Sequence, residues 1–240
     1  MFTSLWVAYP LYADAIKGSN SANWKKDPNI PDQYEINVSD GSYNVYYGET
    51  EPAPNFDSAA GEYYARGHQI PNADRKADAT MNSQTYYQTN STPQIQNGFN
   101  GGIWSSLENS VRNVIPSGDT LYVVTGAAFE KAGETKDVTW ILPKAEKSSG
   151  TNKKCPVPNY YWKVLLKVKR DSNGRVTAAS TIGFWFEHKV YNTSSATNYS
   201  VTVDQIEKWT GFDFFVNLPD DVESAAETNS DWNTFSNYKI

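Results

Sequence analysis

The chain has 240 residues, enough for one large domain or two small ones with a sizeable buried core. Its one cysteine, Cys155, excludes an internal disulfide, and no run approaches the roughly 20 apolar residues of a membrane-spanning helix. The net charge of −6 argues against a strongly basic nucleic-acid binder, but the excess is local: residues 201–240 hold eight acids and two bases, leaving nineteen of each sign before them.

Eight Trp, 16 Tyr and 10 Phe offset a modest apolar share of 39% with large buriable side chains. Local basic patches remain available at Lys25 and Lys26 and at Lys144, Lys147, Lys153 and Lys154, although each lysine reads equally as an ordinary solvated one.

Residues 2–12 (FTSLWVAYPLY) read as a strand interrupted at Pro10. Residues 14–31 are loop-like, 42–47 a short strand or aromatic loop, and 49–60, with Pro52 and Pro54, a connector. Residues 62–64 make a short strand that delivers Arg66 and His68 at its end. Residues 76–83 hold one or two helical turns, and 85–89 are strand-like. Ile103, Leu107, Val111 and Val114 form an apolar stripe that predicts a helix over 100–116, ended by Pro116. Asn100, Trp104, Glu108 and Arg112 form a second stripe, four residues apart. Glu108 and Arg112 then share a face, either as a working pair or as an ordinary exposed ion pair.

Residues 120–129 read as a buried strand that breaks at Gly126, and 138–142 as a shorter one. A Lys/Ser/Gly/Pro loop covers 144–158. Residues 160–170 and 176–188 form a hairpin around Asp171-Ser172-Asn173-Gly174, with Val164, Leu166 and Val168 on one face and Lys163, Lys167 and Lys169 interspersed. A short helix over 203–209 is capped by Thr202 or Asp204 and ends at Gly211. From Leu218 the chain reads as an acidic surface tail. The pattern is α+β with strands dominant: a central antiparallel sheet with helices packed on it, a single domain over 1–240.

Chemistry concentrates in residues 63–75, around Arg66-Gly67-His68, which hold one of only two histidines. A histidine beside an arginine suits a base next to an anion clamp; a structural histidine in a turn is the competing reading. His188 reads as a surface residue at a strand end, and Cys155, with no histidine near it in sequence and Pro156 and Pro158 marking a loop, as a poor nucleophile.

Several segments in order resemble the DNA/RNA non-specific endonucleases of the ββα-metal superfamily, the Serratia-type group. They are Leu5-Trp6-Val7-Ala8-Tyr9, Asn23-Trp24-Lys25-Lys26-Asp27-Pro28, Arg66-Gly67-His68, and Asn90-Ser91-Thr92-Pro93-Gln94 followed by Asn100-Gly101-Gly102-Ile103-Trp104-Ser105-Ser106-Leu107-Glu108. Val124-Thr125-Gly126, Tyr161-Trp162-Lys163-Val164 and Ile206-Glu207-Lys208-Trp209-Thr210-Gly211 follow. The resemblance implies a ββα-metal motif carrying the active site and hydrolysis of DNA or RNA with little sequence preference. It implies His68 as general base, Asn100 as the direct protein ligand of one Mg²⁺ (Mn²⁺ as substitute), and Glu108 holding the ion's water shell. Arg66 and Arg112 then contact phosphate. It also implies an exported enzyme, secreted, periplasmic or at the cell surface; monomer and homodimer both stay open. Two positions depart from the family pattern: Ala65 stands where an Asp usually precedes Arg-Gly-His, and Ala22 where an Arg often precedes Asn-Trp-Lys. The alternative is a catalytically weak relative that binds nucleic acid or a protein; a carbohydrate-binding β-domain is a further one, from the aromatic content.

Overall fold

The computed structural model describes residues 4–19, 23–38, 50–51 and 63–240. Ala22, the segment 42–47 and most of the connector 49–60 lie outside the described residues.

In chain order the strands are β1 Trp6–Leu11, β2 Thr50–Glu51, β3 Tyr64–His68, β4 Ser91–Ile95, β5 Leu121–Ala128, β6 Thr139–Ile141, β7 Cys155–Val157, β8 Tyr160–Arg170, β9 Val176–Glu187 and β10 Ser200–Val201. The helices are α1 Ala79–Gln84, α2 Ser105–Asn113, α3 Lys144–Ser149, α4 Val203–Thr210, α5 Asp220–Ala226 and α6 Trp232–Asn237. The main sheet is five-stranded and antiparallel, in the order β1-β5-β8-β9-β10. Smaller sheets are β2-β6-β7 and the ribbon β3-β4. The fold is the α+β class expected, with a ββα unit made by β3, β4 and α2. Among the described residues no helix is long and apolar enough to cross a membrane.

Pro10 does not interrupt β1. The strand lies at the sheet edge, where a missing N–H costs no ladder bond, and Pro10 keeps register opposite Tyr122. Likewise β5 runs through Gly126 instead of breaking there. A Cβ at Gly126 would lie 2.3 Å from the Trp162 ring and 2.6 Å from the Leu5 carbonyl oxygen, so the glycine admits a close approach. The strand expected at 85–89 is a tight turn, and the strand comes just after it as β4, with Pro93 inside. In a two-stranded ribbon both strands are edges, so Pro93 is tolerated.

The main sheet is buried on both faces. Alternation in β8 sends Tyr161 and Leu165 into a large core with Phe99, Ile103, Leu107 and Val111, and sends Tyr160, Trp162 and Val164 into a second core with Val203, Ile206 and Phe214. Lys163 and Lys167 therefore point to the α2 side. They are 1% and 2% exposed, not the solvent-facing lysines that an alternating strand implies. The residues 144–158 are no plain loop: α3 and β7 lie within them, and Glu146 anchors α3 by accepting from the Asn37 N–H at 2.6 Å. The acidic C-terminal stretch is no plain tail either. It forms α5 and α6, and Phe235 is fully buried in the large core while Lys167 Nζ donates to its carbonyl at 3.0 Å.

Candidate active site

The expected strand at 62–64 is longer, and Arg66 and His68 are within β3, not beyond it. The register with β4 pairs Arg66 with Pro93, Gly67 with Thr92 and His68 with Ser91. Side chains two apart share a face, so Tyr64, Arg66 and His68 point one way and Ala65 and Gly67 the other. Gly67 answers a close approach: its Cβ would lie 2.2 Å from Gln94 Cδ. Gln94 is buried and paired in register with Ala65, so it occupies the face on which the family's aspartate would stand. Ala65 thus changes the side of the ribbon away from His68.

His68 packs between Trp24, 4.8 Å away and tilted by 48°, and Tyr86, 5.2 Å away and edge-on. Arg66 lies over the same Trp24 ring at 4.8 Å and donates from Nη1 to the Val38 carbonyl at 3.0 Å. Asn72 donates to the Tyr86 hydroxyl, which fixes the second wall. Burial, with the Arg66 charge adding to it, holds the His68 imidazole down at about 4. The ring is therefore neutral at physiological pH, and its buried Nε2 has no hydrogen-bond partner among the described residues. Neutral imidazole with an unpartnered ring nitrogen has the right state for accepting a proton.

The helix expected over 100–116 is broken. Residues Gln96–Trp104 form a wide irregular turn, with non-helical backbone at Asn97, Gly98 and Gly102, and the regular helix α2 begins at Ser105. Asn100 is consequently on the turn, and Glu108 and Arg112 are on α2. Asn100 Nδ2 donates to Gln96 Oε1 at 2.9 Å. In that orientation Oδ1 has no hydrogen bond among the described residues. Gly101 makes room for it, since a Cβ there would lie 2.8 Å from Gln96 Nε2. A neutral amide oxygen with no protein donor on it fits a hard divalent ion that keeps most of its waters.

Glu108 and Arg112 do not form the exposed ion pair that their spacing allows. Arg112 Nη1 donates to Asp74 Oδ1 at 2.8 Å and Nη2 to Asn109 Oδ1 at 2.9 Å. Asp74 is 2% exposed and also accepts from the Tyr9 hydroxyl at 2.8 Å. Across from α2, Lys163 lies 5.0 Å above the Trp104 ring, with its buried Nζ in no hydrogen bond. Burial pushes Glu108 above the usual carboxylate range, Lys163 opposing and Asp74 reinforcing it. Burial likewise pushes Lys163 below the usual amine range, and the charges of Glu108 and Asp74 restrain that fall. Glu108, Arg112, Asp74 and Lys163 therefore act on one another as one buried charge network.

The sequence-predicted residues fall into two groups: Arg66 with His68 on the ribbon, and Glu108 with Arg112 on α2. Asn100 lies on the turn between them, and Asp74, six residues beyond His68, ties the stretch after the ribbon to α2. Four contributors carried no role in the sequence: Trp24, Asp74, Lys163 and Tyr9. Lys163 had a signal, since it alternates with Tyr161 and Leu165 on a core-facing register. His188 is a correction. It is no surface residue: Nδ1 donates to the Pro158 carbonyl at 2.8 Å and Nε2 accepts from the Ile95 N–H at 2.8 Å, among Phe99, Tyr161 and Tyr64. Cys155 is fully buried on β7.

Comparison with known proteins identifies the chain's family and fold. The family model for DNA/RNA non-specific endonucleases matches residues 2–221. A nuclease of Serratia marcescens is 29% identical over 225 residues, covering 93% of this chain and 72% of its own. Nuclease C1 of Cunninghamella echinulata var. echinulata is 26% identical over 222 residues, covering 89% of this chain and 76% of its own. A solved structure of the EndoG/EndoGI complex shares the fold, with a TM-score of 0.62 at 19% identity over 90% of this chain and 80% of that one. Matched over nearly its whole length, the chain belongs to the DNA/RNA non-specific endonuclease family and is an endonuclease, a phosphodiester hydrolase of a metal-dependent kind.

Proposed function

We propose that the chain is a single-domain, Mg²⁺-dependent endonuclease that cleaves DNA or RNA with little sequence preference, using His68 as general base. The observation that carries this reading is His68 itself: neutral at working pH, with an unpartnered Nε2, beside Arg66 on the strand pair that leads to Asn100. His68 takes the proton from the attacking water. Arg66 and Arg112 hold phosphate oxygens. Two of Arg112's five N–H donors are engaged by Asp74 and Asn109, which leaves others for substrate. Asn100 directly, and Glu108 through water, would hold one Mg²⁺, for which Mn²⁺ would substitute. When bound, the ion supplies charge neutralisation at the phosphate and at the departing 3′-oxygen. Trp24 and Tyr86 fix the orientation of the His68 ring.

Contacts to phosphates rather than bases give low specificity and a strong salt dependence, consistent with a chain of net charge −6 that acts on nucleic acid briefly. An activity of this kind is best kept from the cell's own nucleic acid, which favours export; fractionation of native cells tests that. Plasmid nicking with Mg²⁺, with Mn²⁺ and with EDTA tests the enzyme reading. Cleavage with either ion and none with chelator is expected. Binding of DNA without cleavage at micromolar protein would overturn it.

A further inference from the structure

The acidic excess of the last forty residues converges on one place. Asp204 and Glu207 are one turn apart on α4, and Glu227 caps the end of α5. The Val203 N–H donates to the Glu227 carbonyl at 3.1 Å, which docks the end of α5 on the start of α4. One carboxylate oxygen from each of the three acids lies within 4.8 Å of the others. Asp204 is exposed, Glu207 half-buried and Glu227 only 6% exposed. Glu227 Oε1 is buried and has no hydrogen-bond partner, and the same holds for Glu223 Oε1, one turn earlier on α5.

Such an arrangement is costly for a protein alone. No ion pair among the described residues reaches Asp204, Glu207, Glu223 or Glu227. Glu227 is at the negative end of the α5 dipole, where acids are disfavoured. Burial first, then Glu207, Glu223, Asp204 and Asp213, pushes the Glu227 carboxyl up to about 8. A bound cation of charge +2 would relieve every one of these terms. Three carboxylates converging on one point, with no nitrogen or sulfur donor among them, suit Ca²⁺, which takes about six to eight oxygen ligands in flexible geometry, better than Mg²⁺, which keeps most of its waters and is held by about one or two carboxylates.

We propose that Asp204, Glu207 and Glu227 form a second, calcium-selective site that clasps the start of α4 to the end of α5, with water completing the coordination. Glu223, with its unpartnered buried oxygen, is placed to hold that water. The site is on the far side of the main sheet from α2: Ile206, between Asp204 and Glu207, packs in the second core with Trp162 and Val164. Its role is to hold the helices that cover this face, not to cleave.

The test is thermal unfolding of the full chain after removal of bound metal with excess chelator. CaCl2, MgCl2 and NaCl at matched ionic strength are then added, to wild type, Glu227→Gln and Asp204→Asn. Wild type should gain about 5–10 °C in Tm at a hundredfold excess of Ca²⁺ over its Kd, and much less with Mg²⁺. Glu227→Gln should lose the gain while being at least as stable as wild type in chelator, because a neutral amide removes the repulsion. Asp204→Asn, at an exposed position, should need about tenfold more Ca²⁺ for the same gain. A wild-type Tm unmoved by millimolar Ca²⁺ would overturn the proposal. So would a full gain in both variants, which would place the responding ion elsewhere.

Discussion

The two histidines are in one molecule, under almost the same electrostatic pressure, and in opposite chemical situations. Burial holds His68 and His188 alike at about 4. Both rings are packed among aromatics. His188 spends both nitrogens on the backbone, joining the end of β4 to the turn before β8, and its tautomer is thereby set with the proton on Nδ1. His68 leaves Nε2 without a partner and has Arg66 two residues away. The contrast teaches that a low histidine pKa does not by itself mark a catalytic group. What distinguishes the two sites is whether the lone pair is already committed.

The sharpest way to break this contrast is to truncate each ring. His68→Ala should reduce nicking by about 10²–10⁴ while the Tm holds, because a group with an unsatisfied nitrogen contributes little to stability. His188→Ala should do the reverse, lowering the Tm with near-normal turnover per folded molecule. Loss of activity in both, in proportion to unfolding, would erase the distinction. Next in size is the charge network beside the site. Lys163→Met strands Glu108 and Asp74 without their buried cation and should cost about 3–5 kcal/mol in urea unfolding, with part regained in Lys163→Met/Glu108→Gln. A neutral Lys163→Met would show that the network is not coupled as described.

A smaller effect is read in pH. A histidine held below its ordinary value of 6.5 stabilises the fold fully above that value, and the contribution is lost as pH falls towards about 4, because the unfolded chain takes up the proton first. The stability difference between wild type and His188→Gln should therefore shrink as pH falls from 7 to 4.5 (about the window between the two values). A difference that grows on acidification would contradict the assignment. The smallest effect expected is that of Ala65→Asp. The position faces Gln94 and not His68, so cleavage should rise slightly or stay unchanged. A large fall would show that the two faces of the ribbon communicate.

Much of this was legible in the sequence. The β8–β9 hairpin, the α4 helix with its Thr202 cap and Gly211 stop, and the apolar stripe of α2 came from periodicity and turn chemistry. The ribbon was legible from Arg66-Gly67-His68 only once the downstream residues were added. The failures have physical causes. Lys163 and Lys167 alternate with the apolar residues of the strand, and charge alone gives no sign of burial; two buried faces, and partners supplied from α2 and α6, bring them inside. The break at Gly102 is invisible to a stripe counted in fours, since Asn100 and Glu108 keep the count across backbone that is not helical. His188 looked exposed because its partners are carbonyl and amide groups distant in sequence. The C-terminal helices were masked by acidity, although Phe235 was the apolar anchor that betrays them.

In the proposed mechanism His68 accepts a proton through its uncommitted nitrogen. Chemical rescue tests it most directly, by measuring Mg²⁺-dependent plasmid nicking by His68→Gly as imidazole is added. Near-complete loss of activity without imidazole and a concentration-dependent return with it are expected, while the folded fraction stays constant. Nicking by His68→Gly at the wild-type rate with no imidazole present would contradict it.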